Sequence, residues 1–482
     1  MKREIVILGA GPAGMSCAME LFKSGKNVTI IEKESQVGGL ATTLKFKEGN
    51  FLFRTDLGPH RFFSKNPYLY SFIEDLLNEK WIKVKRQTRQ YIDGKFYDYP
   101  IKAIQAFKNI GYTRSISMGF SYIIGVTKYK ILKKSIKTFE DYIIANFGKK
   151  LGEFNMLNYT EKLWGQPCST LHQDWAKQRI KGLNFISALK NAVFSKKDLN
   201  EPKSLVDMFY YPQYGTGLIY EAIAQKIKKD SKIYLNSYPV KINLRKNEIQ
   251  SVDCIIGGKR KTIYPTWCVS SIPITQFFKL INPAPPKEAI KSASKLKWRS
   301  QVYLFITLDR ESVTKDNWIY FPNKEIPFGR ISEMKNFSQD MSPKNKTSIF
   351  VEFFVDEGDK IWNMEKDDLF NLAMPFFEKL EFFKRSEVRN YYLLKKKNVY
   401  PVYDLTYQKH LEVVKNYLDK IHNLSYIGRP GRFKYNNQDH SLEMGMLAAK
   451  SIIEGKKYDL EEIGSEEEYF EKGYLKDGSK KI

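Results

Sequence analysis

The stretch Ile5-Val6-Ile7-Leu8-Gly9-Ala10-Gly11-Pro12-Ala13-Gly14, answered fourteen residues on by Val28-Thr29-Ile30-Ile31-Glu32, decides the fold of this chain. The apolar run 5–8 suits a strand buried on both faces of a parallel sheet. Gly9, Gly11 and Gly14 set out G-x-G-x-x-G. The first permits a tight turn, the second lets backbone approach a pyrophosphate, and the third allows helix to pack closely on strand. Pro12 leads into a helix over residues 13–23, beginning at Ala13, whose N-terminal amides and dipole face that anion. The second strand, 28–31, ends at Glu32, where a carboxylate accepts hydrogen bonds from a ribose diol, with Lys33 next to it. Two strands, a helix and an acidic residue in register predict a dinucleotide site, which a lone glycine motif does not.

Gly38-Gly39-Leu40-Ala41 bears on which dinucleotide. Two adjacent glycines soon after the ribose-binding acid resemble the second glycine motif of FAD enzymes in the amine oxidase and glutathione reductase superfamily. The resemblance implies FAD in preference to NAD.

At 482 residues, with 42% hydrophobic and 14% aromatic content, the chain can build two or three domains with substantial cores. No apolar run approaches the roughly 18–20 residues that span a bilayer, and the start of the chain leads directly into the first strand, leaving no room for a signal peptide. Cys17, Cys168, Cys254 and Cys268 have no metal-like spacing and the five histidines are scattered, so no metal site is expected. Reduced cysteines point to a cytoplasmic protein, with peripheral contact at the inner face of the membrane left open. The net charge of +25 is lysine-driven and spread along the chain. It fits compositional bias of the source, an anionic substrate or an anionic membrane; no recognised nucleic-acid motif accompanies it. Residues 101–137 are both basic and apolar (Phe107, Ile110, Phe120, Ile123, Ile124, then Lys128, Lys130, Lys133, Lys134, Lys137). They read either as a helical subdomain with a solvated basic face or as an amphipathic helix on a membrane.

The predicted class is α/β, with a Rossmann-like FAD-binding domain, an inserted helical subdomain and an antiparallel-sheet substrate domain. The expected segments are 1–67, 201–282 and 406–460 for the FAD-binding domain. Residues 68–200 are expected to be mostly helical, 283–405 to form the substrate domain, and 461–482 a charged tail. Thr138 and Asp141 have the spacing of a capping box. Thr266-Trp267-Cys268-Val269-Ser270-Ser271 and residues 424–427 read as strands returning to the nucleotide sheet, and 301–308 and 348–355 as strands of the substrate sheet.

Further motifs carry a resemblance from residue 1 to about residue 455. They are Gly58-Pro59-His60-x-Phe62, Tyr159-Thr160-Glu161-Lys162-Leu163-Trp164-Gly165, Asp174-Trp175-Ala176-Lys177-Gln178-Arg179, and Tyr211-Pro212-x-x-Gly215-Thr216-Gly217. Tyr320-Phe321-Pro322 with Arg330, Tyr400-Pro401, Gly428-Arg429-x-Gly431, and Tyr435-Asn436-Asn437-Gln438-Asp439-His440-Ser441 complete the set. The chain resembles the flavin-dependent UDP-galactopyranose mutase family and its protoporphyrinogen-oxidase-like relatives, although Leu163 stands where the mutases carry glutamine.

The resemblance implies roles. His60 would sit on a mobile loop against the flavin, with Gly428, Asn437, Gln438, Asp439 and Ser441 at the cofactor. Thr160, Trp164 and Arg179 would line the substrate pocket, with Trp164 and Phe62 as candidate walls for the sugar. Arg330 and Arg429 would grip a diphosphate while Tyr320, Tyr400 and Tyr435 donate hydroxyls to it. Guanidinium forks meet phosphate oxygens bidentately, and phenols add donors without further charge. The implied reaction interconverts pyranose and furanose forms of a nucleotide-diphosphate sugar, in surface glycan biosynthesis, through an adduct of reduced flavin N5 with the sugar. NAD(P)H is the reductant open to it. The same fold also serves oxidoreductases of the protoporphyrinogen oxidase, amine oxidase and desaturase type, and non-enzymatic binders like the Rab GDP-dissociation inhibitors. Intact glycine motifs speak against the last.

Overall fold

The computed structural model describes residues 3–99, 103–176 and 208–464. Its first layer is a five-stranded parallel sheet in the spatial order Leu424–Tyr426, Pro265–Ser270, Glu4–Leu8, Val28–Ile31, Lys232–Tyr234. Five short strands from distant parts of the chain therefore meet in one sheet, four of them from the apolar runs at 5–8, 28–31, 266–271 and 424–427. The helix Pro12–Lys23 crosses between the first two strands and packs along Gln438–Glu454. Small residues set that approach: a Cβ at Gly445 would fall 2.1 Å from both the Ala13 carbonyl oxygen and Ser16 Oγ. Ser16 Oγ donates to the Leu442 carbonyl at 2.8 Å, so the contact is also hydrogen-bonded.

A seven-stranded mixed sheet forms the second layer, in the order Val388–Pro401, Trp298–Leu308, Thr347–Val355, Arg330–Glu333, Trp318–Tyr320, Thr88–Ile92, Lys95–Asp98. Thr347–Val355 is buried at every position, and Lys366–Lys379 covers the sheet with Leu369, Phe370, Ala373, Met374 and Phe377. A four-stranded sheet, Lys259–Ile263, Glu248–Ile256, Tyr238–Arg245 and Ile281–Asn282, stands beside the first layer.

The segment expected to be mostly helical departs from that reading. Trp81–Lys85, Thr88–Ile92 and Lys95–Asp98 are strands. Asp93 and Gly94 take φ of +49° and +80° between the last two, the Asp-Gly hairpin turn that primed geometry demands. Thr88–Ile92 then pairs in parallel with Trp318–Tyr320, so this part of the insertion belongs to the second sheet. The helices Ala103–Ile110, Tyr112–Val126, Phe139–Phe147 and Leu157–Trp164 follow. Thr138 caps Phe139–Phe147 through the expected box, accepting from Asp141 N–H at 3.0 Å. The helical pattern past residue 176, with Arg179, and most of the charged tail lie outside the described residues.

Candidate functional site

The two glycine turns meet at the C-terminal edge of the parallel sheet. Gly9, at φ +97°, donates its N–H to the Ile31 carbonyl at 2.8 Å, and Gly38 N–H donates to the Ala10 carbonyl at 2.8 Å. A Cβ at Gly14 would lie 2.1 Å from the Gly9 carbonyl oxygen, and one at Gly39 3.1 Å from Gly11 Cα. At Gly11 an added Cβ meets nothing nearer than Gly39 Cα, 3.9 Å away. The flanks are closed and the space beside Gly11 is open, which is the shape a pyrophosphate-binding turn needs. Pro12 and Ala13 open the helix behind it, while Leu40 is half-buried in the second turn.

Glu32 is buried, its Oε2 accepting from Ala10 N–H at 2.6 Å and its Oε1 from Glu34 N–H at 2.8 Å. Burial raises its pKa, against the lowering effect of those amides. Lys33 is exposed. On the far side, a Cβ at Gly428 would come within 2.9 Å of Ala13 Cβ, placing Gly428–Arg432 against the same helix start. Asn437 is the N-cap of Gln438–Glu454. Gln438 Oε1 accepts from Thr216 Oγ1 at 3.1 Å, Ser441 Oγ donates to Asn436 Oδ1 at 3.0 Å, and Asp439 is buried in that first turn. Two helix N-termini, with positive dipole ends, thus stand at one cradle.

The second half of the site is aromatic and cationic. Arg429 lies over the rings of Tyr400 and Tyr435, at 5.2 and 5.0 Å, and those rings stack at 5.6 Å. Its Nε and Nη2 donate to the Asn436 carbonyl and its Nη1 reaches the Val399 carbonyl at 3.4 Å. Trp175 packs edge-on against Tyr435 and Trp164, each at 4.8 Å, and Trp164 reaches Tyr400 at 6.1 Å. Thr160 is buried on the helix that carries Trp164. Tyr320 lies 5.3 Å from Tyr159 and 5.8 Å from the Arg330 guanidinium. Burial lifts the Tyr159 and Tyr400 phenols above their ordinary range, so they remain hydroxyl donors.

Arg330 is not the free cation the sequence suggests. Its Nε and Nη2 donate at 2.6 and 2.7 Å to the two carboxylate oxygens of Glu352, a fully buried residue. Burial opposes the Arg330 charge, and the facing carboxylate outweighs it, holding the guanidinium well above its usual value. The fork assigned to phosphate is therefore occupied by a protein carboxylate, which cancels one positive charge of the site. Phe62 is corrected as well: it packs with Tyr70 and Trp81 in the core of the first layer instead of walling a sugar pocket.

His60 feels both arginines. Burial first, then the charges of Arg429 and Arg330, push its pKa down to about 3. Its Nδ1 is buried without a hydrogen-bond partner among the described residues. The ring is thus neutral at physiological pH. An unfolded histidine titrates near 6.5, so between 6.5 and 3 the unfolded chain binds the additional proton. This group removes stability as pH falls below 6.5 and removes none above it. The expected loss from His60 between pH 6.5 and pH 5 is up to about 2 kcal/mol. Urea melts at pH 7 and pH 5 check it: His60→Asn should flatten the slope, and an unchanged slope contradicts the assignment.

The sequence reading misses several members of the site. Glu352 is the lone carboxylate in the apolar run 347–355, and that isolation is the signal that could have found it. Lys162 donates to the carbonyls of Phe321, Asn323, Ile326 and Phe328, fixing the loop beyond Tyr320. Asp56, two residues before Gly58, accepts from Thr43 Oγ1 and Tyr211 OH at 2.6 Å and from Thr216 N–H at 3.2 Å, tying the His60 loop to residues 211–217.

Comparison with known proteins agrees with the fold. A family model described as NAD(P)-binding Rossmann-like domain matches residues 7–76, and one described as UDP-galactopyranose mutase matches residues 290–385. The crystal structure of a reduced UDP-galactopyranose mutase superposes with a TM-score of 0.80 at 20% identity, covering 96% of each chain. A protein described as a protoporphyrinogen oxidase from Exiguobacterium sp. 255-15 gives 0.72 at 14% identity, over 95% of this chain and 100% of its own. In sequence, the chain is 23% identical over 415 residues to the L-amino acid oxidase bordonein-L of Crotalus durissus terrificus, covering 77% of this chain and 74% of the oxidase. The chain therefore has the fold shared by these mutases and oxidases, and the resemblance read from its motifs holds.

Proposed function

We propose that this chain is an FAD-dependent nucleotide-sugar mutase of the UDP-galactopyranose mutase type, serving surface glycan biosynthesis. The observation that carries the reading is Arg429, seated over the rings of Tyr400 and Tyr435 and beside a neutral His60. This is a cationic, phenol-lined recess suited to a diphosphate. The match of residues 290–385 to the mutase family supports it. The cradle at Gly11, Gly39 and Gly428, with Glu32 for a ribose, fits FAD. Reduced flavin supplies the electron-rich centre that activates the anomeric carbon, with no net oxidation.

The chain's own residues supply position and charge. Arg429 stabilises negative charge gathering on the departing diphosphate, and Tyr320, Tyr400 and Tyr435 donate to its oxygens. Neutral His60 adds no second cation against the flavin. Trp164, Trp175 and Tyr159 exclude water around the sugar. FAD, the reduced state and the sugar all belong to this reading.

A specific observation favours a second reading, an FAD-dependent oxidoreductase. Glu352 neutralises Arg330, and the curated sequences it matches over most of its length include L-amino acid oxidases. An anaerobic assay separates the two. Protein reduced once with dithionite should interconvert nucleotide sugars for many turnovers without an electron acceptor. Product that never exceeds the acceptor supplied would make the protein an oxidoreductase.

A further inference from the structure

We infer that the helix Tyr112–Val126 and the turn after it dock on an anionic lipid surface. Tyr112, Ile116, Phe120 and Ile124 repeat every four residues, so they share one face of that helix. With Ile131 and Leu132 just beyond, they are 60–75% exposed, a contiguous apolar stripe of the kind that marks an interaction surface. The opposite face holds the helix in place. Met118 and Gly125 are buried, and a Cβ at Gly125 would fall 2.3 Å from the Ile144 carbonyl oxygen. A Cβ at Gly148 would fall 2.6 Å from Tyr122 Cα. The helix backbone is clamped against Phe139–Phe147, and the stripe cannot roll inward to join the core.

Charge identifies the occupant. Residues 99–139 contain eight lysines and arginines and no aspartate or glutamate. Lys128, Lys130, Lys133 and Lys137 are exposed at the end of the stripe. An apolar face bordered by lysines matches the acyl–headgroup boundary of an anionic bilayer. A second copy of the chain would set these lysines against one another, which argues against self-association through this face. No helix among the described residues is long and apolar enough to cross a membrane, so the contact is peripheral.

The test is co-sedimentation of the purified full chain with phosphatidylcholine vesicles, with and without phosphatidylglycerol. At low salt, binding to the phosphatidylglycerol vesicles should exceed that to neutral ones by roughly tenfold and fall on raising salt. The triple variant Ile116→Ser, Phe120→Ser, Ile124→Ser should lose roughly tenfold in partition. Far-UV circular dichroism confirms its fold, which exposed positions should spare. Lys130→Glu with Lys133→Glu gives the same loss by a change that leaves the stripe intact. Absence of binding at low salt, equal binding to both vesicles, or full binding by both variants overturns the proposal. So does a stripe-dependent dimer in sedimentation equilibrium. The readout is lipid partition, so its failure is distinguishable from failure of the mutase reading.

Discussion

Gly11→Val should purify folded and colourless, whereas the parent chain should purify yellow with one bound FAD. The two halves of that result have separate causes. Folding survives because a Cβ at Gly11 has 3.9 Å to its nearest neighbour, Gly39 Cα. Binding fails because the branch occupies the space through which a pyrophosphate must touch backbone. The expected loss is at least about 100-fold in flavin affinity, about 2.7 kcal/mol. Gly14→Val is the contrast: its Cβ would collide with the Gly9 carbonyl oxygen at 2.1 Å, so the βαβ unit itself should fail. Flavin absorbance and thermal unfolding of both variants are the measurements. A folded, yellow Gly11→Val protein would show that no pyrophosphate passes this turn.

Arg330→Ala should cost about 3–5 kcal/mol of stability, since it strands the buried Glu352 carboxylate. A binding defect in that variant would therefore say little about phosphate. Arg330→Met with Glu352→Met removes both charges, and most of the lost stability should return in urea melts. If Arg330→Ala melts like the parent, the ion pair is not formed in solution. Arg429 is the cleaner probe of substrate charge, because backbone carbonyls hold it. Arg429→Ala should weaken binding of UDP-galactose to the reduced protein by about 1.5–3 kcal/mol, with flavin content retained.

Local chemistry made the nucleotide half of the molecule legible. The strand, turn, helix and acid of residues 5–32 are contiguous, and each step is set by neighbours a few residues apart. The runs at 266–271 and 424–427 read as strands of the nucleotide sheet, and the structure places Pro265–Ser270 and Leu424–Tyr426 there, so the gathering of distant segments into that sheet was legible in the sequence. The Asp93-Gly94 turn is written equally plainly, inside a segment whose wider pattern reads as helical. The substrate half was decided elsewhere. Nothing near Arg330 in the chain announces a carboxylate; Glu352 reaches it only because Arg330–Glu333 and Thr347–Val355 pair antiparallel, with these two residues directly opposite. His60 is ordinary in sequence, and its depressed pKa arises from burial first and then from the charges of Arg429 and Arg330, ninety-nine residues apart, that converge upon it. Motifs named many of the residues that the fold brings together here, but not Glu352 or Asp56. Sheet register and burial decided which of their charges remain available, because electrostatics in a dry interior depends on distances that only the folded chain sets.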